Sequence, residues 1–447
     1  MQINRHIYKL IRDFFKNRKK ALLISGARQV GKTFAIRLIG SEIFDKVVEL
    51  NFIDKPELKT LFENPRSAKE LLLRLSAYAG GNLPKGKTLF FFDEIQECPD
   101  VVTAIKYLVD EGSFRYVLSG SLLGVQMKDI RSIPVGYMTE IQMFPLDLYE
   151  FASAVGMSDD VLNYLHECFI NSEVVDEVVH NKMIELLHLY LVVGGMPEAV
   201  VKYLESNNLH DVREVQVDIL NMYRKDISRY DIDNKIYISE IFDLIPSELD
   251  SKNKRFVLKS LNDRPRFDKI KNGFLWLADA GVALPVYNVE EPRLPLRLNE
   301  LRSLFKLFLC DVGLLSAFYP VDITLKILDG MANINYGATY ENFVAQELKA
   351  HGYTLYYFNN KRQGEVDFLV ENSGSVLPIE VKSGKDYKRH NALSNILSIS
   401  DYGIQRAVVF SNGNLESVGN VSYLPIYMTM FLKPSTLADT IVKFSPL

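Results

Sequence analysis

The 447-residue sequence is poor in cysteine: Cys98, Cys168 and Cys310 are odd in number, far apart and not spaced as zinc ligands. That argues against a disulfide framework and for a reducing compartment, so a cytoplasmic location is expected. Long apolar runs are lacking too, with nothing approaching the roughly 18 uninterrupted residues of a bilayer-crossing helix. In the opening MQINRHIYKLIRDFFKNRKK, charges interrupt every apolar stretch before a signal-peptide core forms. Neither secretion nor a membrane span is expected. Nor is there an excess of one charge: Lys+Arg at 52 against Asp+Glu at 56 leaves a net charge of -4, so nucleic-acid contact has to come from local patches. Internal repeats and low-complexity tracts are missing. The histidines, including His166, His180 and His188, form no metal pattern, and no Ser/His/Asp or Cys/His arrangement is readable. The single tryptophan, Trp276 in FLWLADAGV, has apolar neighbours at helical spacing and suits a core.

What is present is ordinary globular composition, 47% hydrophobic and 24% charged, in a chain long enough for about three domains. From Ala21 the text runs strand, loop, helix (ALLIS, GARQVGKT, FAIRLIG), with further apolar strand candidates at 47–52, 88–92 and 116–118. Strands alternating with helices predict an α/β unit with a parallel sheet over residues 1–153. At its start, Ile7, Leu10, Ile11, Phe14 and Phe15 suit one face of an amphipathic helix. Helical periodicity, as in MIELLHLYLVVGG, sets in after Phe151 and predicts a helical lid region over 154–232. Helix-like stretches followed by VALPVYNVEEPRLPLRL, whose prolines and short apolar runs suit an edge hairpin, predict a winged-helix-like domain over 233–325. The tail, 326–447, returns to α/β: a helix through YENFVAQELKAHG, strands at 354–358, 366–370, 376–381 and 407–410, and a helix around 393–399.

The run Gly26, Ala27, Arg28, Gln29, Val30, Gly31, Lys32, Thr33, followed by Phe34, is a full G-x-x-x-x-G-K-[ST] match between an apolar strand and a helix. Phosphate chemistry explains the residue types. Glycines let backbone N–H groups close around a β-phosphate, the helix N-terminus adds positive potential, Lys32 reaches the β/γ oxygens and Thr33 ligates magnesium. ATP and Mg2+ are therefore the expected cofactors. Apolar residues 89–92 lead directly into Asp93 and Glu94, so a buried strand delivers two carboxylates at its C-terminal end. Asp93 is expected to hold the magnesium and Glu94 to orient or deprotonate the attacking water. The strand at 115–118 ends in Ser119-Gly120-Ser121, where Ser119 is the expected sensor of the γ-phosphate.

GARQVGKT, FFFDEIQECPD, VLSGS and MFPLDLYEF together resemble a bacterial and archaeal AAA+ ATPase family. GGMPEAV, YRKDI and FKLFLCDVGLL resemble the C-terminal partner region that usually accompanies it, so the resemblance covers nearly the whole chain and implies ATP hydrolysis. One departure matters: members often carry Gly-Arg shortly before the Pro-Leu-x-x-Glu segment, where this chain has Gly136-Tyr137. The arginine that stabilises the transition state is left to Arg131 or Arg115, in cis or from a neighbouring subunit, and the second case requires a homo-oligomer.

In the tail, Glu341, Asp367, Glu380 and Lys382 occur in an informative order. Alternation along a strand puts Glu380 and Lys382 of PIEVKSG on one face, and Asp367 of GEVDFLV can reach that face from an adjacent strand. Hard oxygen ligands of this kind, Asp367 and Glu380 above all, suit magnesium, with Lys382 beside the water or the scissile phosphate. The pattern resembles the PD-(D/E)XK nuclease superfamily, which implies a nuclease-like α/β fold that either cuts or keeps its shape after losing activity. E-V-K also suits a plain solvated strand face. Lys361, Arg362, Lys385, Lys388 and Arg389 would suit a phosphate-binding rim. Residues 252–271 carry eight basic residues against Asp263 and Asp268, so Lys254, Arg255, Lys259, Arg264 and Arg266 are candidates for contact with nucleic acid, DNA ahead of RNA. Three functions stay open: an ATPase that controls a nuclease, a non-cutting ATP-driven switch, and a protein-interaction ATPase with vestigial nucleic-acid folds.

Overall fold

The structure, a computed structural model, describes residues 3–65, 67–121, 136–230, 235–251, 255–256, 267–330, 337–384 and 386–435. Strands Ala21–Ser25 (β1), Lys46–Asn51 (β2), Thr88–Asp93 (β3), Arg115–Gly120 (β4) and Met138–Gln142 (β5) form a parallel sheet in the order β2-β3-β4-β1-β5. All of β1 and β3 is buried, which is why ALLIS and TLFFFD read as continuous apolar runs: a parallel sheet is covered on both faces. Strand β5, MTEIQ, is half exposed at the sheet edge, and its mixed polarity hid it from the sequence. The register pairs Ser25 with Gly120, Phe92 with Leu118 and Asn51 with Asp93, so the functional ends of four strands lie side by side. Helix His6–Asn17 packs Ile7, Tyr8, Ile11, Phe14 and Phe15 inward. Leu10, expected on that face, is 51% exposed, because Tyr8 takes the inward place.

The helical stretch after Phe151 comprises Asp159–Asn171, Glu177–Val193, Pro197–Ser206 and Leu209–Tyr230. Their ends are set locally: Asp147 and Glu150 form a capping box on Leu148–Ala154, Ser158 and Asp176 cap the next two helices, and Pro197 opens Pro197–Ser206. Among the described residues no single helix is long and apolar enough to cross a membrane.

The hairpin Ala283–Val289 (β6) and Glu300–Leu309 (β7) does not stand as the wing of a separate small domain. It joins Tyr356–Asn360 (β8), Gly364–Asn372 (β9), Ser375–Val381 (β10), Ala407–Ser411 (β11), Glu416–Val418 (β12) and Val421–Pro425 (β13) in a mixed eight-stranded sheet, ordered β12-β13-β11-β10-β9-β8-β6-β7. The reason is burial: β6 and the second half of β7 are almost wholly apolar, and β6 gains cover by pairing in parallel with β8 through Tyr287 and Tyr356. The cores are not separate either. One hydrophobic cluster runs from Ile3 and Ile7 through Tyr190 and Trp276 to Phe343 and Met430, uniting one face of the parallel sheet, the helices and one face of the mixed sheet. Smaller cores sit on the opposite faces of the two sheets.

Candidate nucleotide site and a buried acidic cluster

The loop after β1 is shaped by backbone that only certain residues tolerate. Gly26 has φ +141, and a Cβ there would fall 2.2 Å from the Met143 carbonyl oxygen; Gln29 and Gly31 also adopt positive φ. Lys32, the first residue of helix Lys32–Ile43, is buried and donates to the carbonyls of Gly26 (2.9 Å) and Ala27 (2.8 Å). Burial lowers its pKa to about 8, against the pull of Glu94 and Asp93. At the end of β3, Asp93 accepts from Thr33 Oγ1 (3.1 Å), Asn51 Nδ2 (3.2 Å) and the Ser119 hydroxyl. Burial raises the Asp93 pKa, and the Ser119 hydrogen bond opposes it. Glu94, in the left-handed region at φ 56, accepts from the Gln96 amide and from Ser121 Oγ (3.4 Å). An open cleft of about 460 Å³ is lined by Arg28, Lys32, Thr33, Phe34, Glu94 and Met222. The fold thus brings together the loop with Lys32 and Thr33, the two carboxylates Asp93 and Glu94, and Ser119. It adds Asn51, whose polar side chain closing an apolar strand was the signal available.

The loop is also gripped from behind, which the sequence did not disclose. Arg28 pairs with Asp226 at 2.7 Å, and the Tyr223 hydroxyl donates to the Arg28 carbonyl (3.0 Å). Both partners lie in YRKDI, so that motif supports the loop. Gly281, two residues before β6, packs so closely that a Cβ there would lie 3.0 Å from the Ala27 nitrogen. Arg115, a candidate for the transition-state charge, is placed at the wrong end of β4. It stacks over the Phe15 ring at 5.3 Å and donates to the carbonyls of Phe15 and Arg18, at the opposite end of the strand from Ser119. Arg131 lies outside the described residues.

In the second sheet Glu341 (helix Gly337–Ala350), Asp367 (β9), Glu380 (β10) and Lys382 converge, joined by Lys306 of β7 and Glu365 of β9. Lys306 is fully buried. Its Nζ lies 2.7 Å from Glu365, 3.5 Å from Glu341 and 3.9 Å from Asp367, and 5.2 Å from the Tyr357 ring centroid. Burial opposes its charge, yet Glu341, Glu365 and Asp367 together raise its pKa. Asp367 also accepts the Val381 N–H (2.8 Å), and Lys382 donates to Glu380 at 2.6 Å. Burial and the neighbouring Asp367 push Glu380 up to about 8. The magnesium expected at Asp367 and Glu380 does not fit this arrangement, because the ammonium of Lys306 stands among Glu341, Glu365 and Asp367, so that Asp367 already faces a fixed cation. Among the described residues no group of His, Cys, Asp and Glu is disposed to hold a metal ion. Lys306 was missed because it sits in FKLFL, an apolar strand 35 residues before Glu341 in a region assigned to another domain.

Of the other nucleic-acid candidates, Lys361, Arg362 and Arg389 line exposed loops and Lys388 pairs with Glu416 at 2.9 Å. Arg255 is exposed, while Lys254, Lys259, Arg264, Arg266 and Lys385 lie outside the described residues. Trp276 is buried, and His180 is held by Tyr427 (3.0 Å) and the Asn412 carbonyl (3.1 Å).

A parallel sheet in this strand order with a phosphate-type loop after β1, which lies between β4 and β5, defines a P-loop α/β domain. Residues 18–152 match the family described as AAA domain, and this unit is an AAA-type P-loop ATPase domain. Residues 184–324 match Domain of unknown function (DUF8612), and residues 336–428 match Domain of unknown function (DUF4143). No curated protein matches the chain. Among solved structures, the chain is similar to the Walker-type ATPase PABY2304 of Pyrococcus abyssi, at 13% identity and TM-score 0.42 over 71% of this chain and 96% of that one. It is also similar to the Aeropyrum pernix ORC1 protein in complex with DNA (11%, TM-score 0.27, 70% and 90%) and to Thermotoga maritima RuvB (15%, TM-score 0.29, 66% and 90%). Similarities this weak carry no functional weight.

Proposed function

We propose that the chain is an ATP-hydrolysing switch whose nucleotide state controls how its C-terminal half engages nucleic acid, DNA ahead of RNA, without cutting it. Lys32 and the loop amides would hold the phosphates of ATP, Thr33 and Asp93 the magnesium, and Ser119 would report the γ-phosphate through the Asp93 it touches. The curled loop and the adjoining hydroxyl and carboxylate fit these groups. Bound magnesium would supply charge neutralisation for the phosphates, and Glu94 would orient the water. The observation that carries the switch is the grip on the loop from behind. Asp226 and Tyr223 hold Arg28, and Gly281 abuts Ala27 at the root of the hairpin that edges the eight-stranded sheet. A shift of the loop on phosphate binding therefore meets the C-terminal half directly.

The test is DNA affinity by fluorescence anisotropy in ADP and in a non-hydrolysable ATP analogue, across a salt series. A nucleotide-dependent difference of about 5–150-fold is expected, typical of coupled sites, with affinity falling as salt rises. Equal affinity in both states, or none that responds to salt, would reject the switch. Asp226→Ala is expected to bind ATP nearly as the wild type does, since Asp226 holds the loop from behind and does not line the cleft. The ADP/ATP difference in DNA affinity should shrink toward unity, as the same titrations will report.

A second function, a magnesium-dependent nuclease of the PD-(D/E)XK kind, has the convergence of Glu341, Asp367, Glu380 and Lys382 in its favour and the buried ammonium of Lys306 among those acids against it. A magnesium-dependent nicking assay comparing wild type with Asp367→Ala decides it, and nicking by the wild type alone would establish the nuclease. A cytoplasmic location is in keeping with three free, buried cysteines. With Arg115 tied to Phe15 and Arg18 at the far end of β4, an arginine donated by a second copy would make the ATPase a homo-oligomer.

Lys32 supplies a pH prediction. Its pKa of about 8 in the free protein rises when phosphate contacts favour the charged form, so ATP binding takes up a proton above pH 8 and none well below it. Affinity should fall as pH rises through that value, by up to about tenfold per unit. Calorimetry at pH 9 in buffers of different ionisation heat checks the uptake; a heat that ignores the buffer contradicts it.

A further inference from the structure

The carboxylates of the second sheet have a resident cation. Lys306 projects from β7 into a fully enclosed position, between Phe305 and Leu307, which are buried in the main core. Glu341, Asp367 and Glu380 are each less than a tenth exposed, and Glu365 reaches in from the rim. Buried carboxylates at such spacing repel one another, and a buried ammonium is costly on its own; each makes the other tolerable. A divalent ion would answer the same need with more charge and more oxygen ligands, but it would have to stand against the ammonium.

Lys306 is also fixed in place. Its strand pairs with β6 through Val286, and the strand end is clamped to the helix that bears Glu341: Asn342 accepts from the Leu309 nitrogen (2.8 Å) and donates to the Leu309 carbonyl (3.1 Å). The cation and one of its acids are thereby held by adjoining backbone. Lys382, by contrast, is partly exposed and bonded to Glu380, at the rim of the cluster.

We propose that Lys306 is a built-in substitute for a divalent cation: it closes the Glu341/Glu365/Asp367 cluster to metal, and removal of its charge turns the cluster into a divalent-cation site. The domain carries its own positive charge on a strand that precedes the acids in the chain, and its shape needs no metal. This inference is independent of the ATPase, so its failure leaves the nucleotide switch standing.

The test counts Mn2+ bound to the full, nucleotide-free chain by the electron-paramagnetic-resonance signal of the free ion. Mn2+ at Thr33 and Asp93 is common to all variants and cancels. Wild type and Asp367→Asn are expected to bind the same number of ions. Lys306→Met should gain one ion per chain, accompanied by a rise in melting temperature with Mn2+, and should lose it again in the Lys306→Met/Asp367→Asn double variant. A wild-type ion that Asp367→Asn removes would overturn the proposal. So would a Lys306→Met protein with native circular dichroism that binds no more Mn2+ than wild type. Where Lys306→Met does not fold, Lys306→Gln offers a neutral, unbranched side chain one atom shorter with a polar tip, and the wild-type comparison with Asp367→Asn decides by itself.

Discussion

Glu94→Gln is expected to bind ATP with wild-type affinity and to hydrolyse it about 10²–10⁴-fold more slowly, the range for loss of a positioned acid or base. The geometry isolates this role from binding. Glu94 follows β3 in a left-handed backbone turn that lifts its carboxylate into the cleft, apart from Asp93, which is taken up by Thr33, Asn51 and Ser119. Gln96 and Ser121 hold the Glu94 carboxylate from the side. Glutamine keeps the length, the turn and one acceptor oxygen for these donors, but it gives up the charge and the basicity that draw a proton from water. Calorimetric ATP titration alongside a phosphate-release assay separates the two effects. Turnover at the wild-type rate would remove Glu94 from the reaction, and a matching loss of affinity would make it a binding residue instead.

The nucleotide site was legible because its signal is local. The loop, its lysine and its threonine are contiguous, and Asp93 and Glu94 close a wholly apolar strand; the strand order only aligns ends already marked by polar residues. Arg115 illustrates the converse: a residue at the head of a strand lies a full strand length from one at its tail, so closeness in sequence to Ser119 does not bring it to the cleft of the same chain. The hairpin β6–β7 was harder. Short apolar strands with prolines suit a wing or the edge of a larger sheet equally well, and only the long-range pairing of Tyr287 with Tyr356 separates the two. Lys306 shows the limit most clearly. The acids that surround it follow one another in the chain and form a recognisable order, whereas the lysine enters from a strand whose neighbours are apolar and whose sheet partner is unknown in advance. Charge compensation in a core is a property of tertiary contact, so a motif read along the chain supplies one sign of it.

Asp311→Ala is expected to cost about 3–5 kcal/mol of stability, the sum for two buried N–H groups that lose a charged acceptor. Asp311 follows β7 in FKLFLCDVGLL and is fully buried. It caps helix Val312–Phe318 by accepting from the Leu314 nitrogen (3.0 Å), and its other oxygen accepts from the Gly195 nitrogen (2.6 Å). The Gly195 carbonyl in turn accepts from the Leu146 nitrogen (2.7 Å), at the start of the segment that leads into Leu148–Ala154. The approach is close enough that a Cβ on Gly194, itself at φ +73, would fall 2.3 Å from an Asp311 oxygen, and one on Gly313 would fall 2.6 Å from Gly194. One carboxylate therefore ties GGMPEAV, CDVGLL and MFPLDLYEF, motifs of three distant stretches, into the shared core. Burial raises its pKa to about 6, opposed by the N–H groups it accepts from, so above that pH the full charge acts on both donors. Asparagine offers only one acceptor oxygen and turns its amide toward the other N–H, so Asp311→Asn should fall between wild type and Asp311→Ala. Urea denaturation followed by tryptophan fluorescence, with Trp276 in the same core, gives the ordering. Equal midpoints for wild type and Asp311→Ala would mean that the glycine packing alone joins these segments.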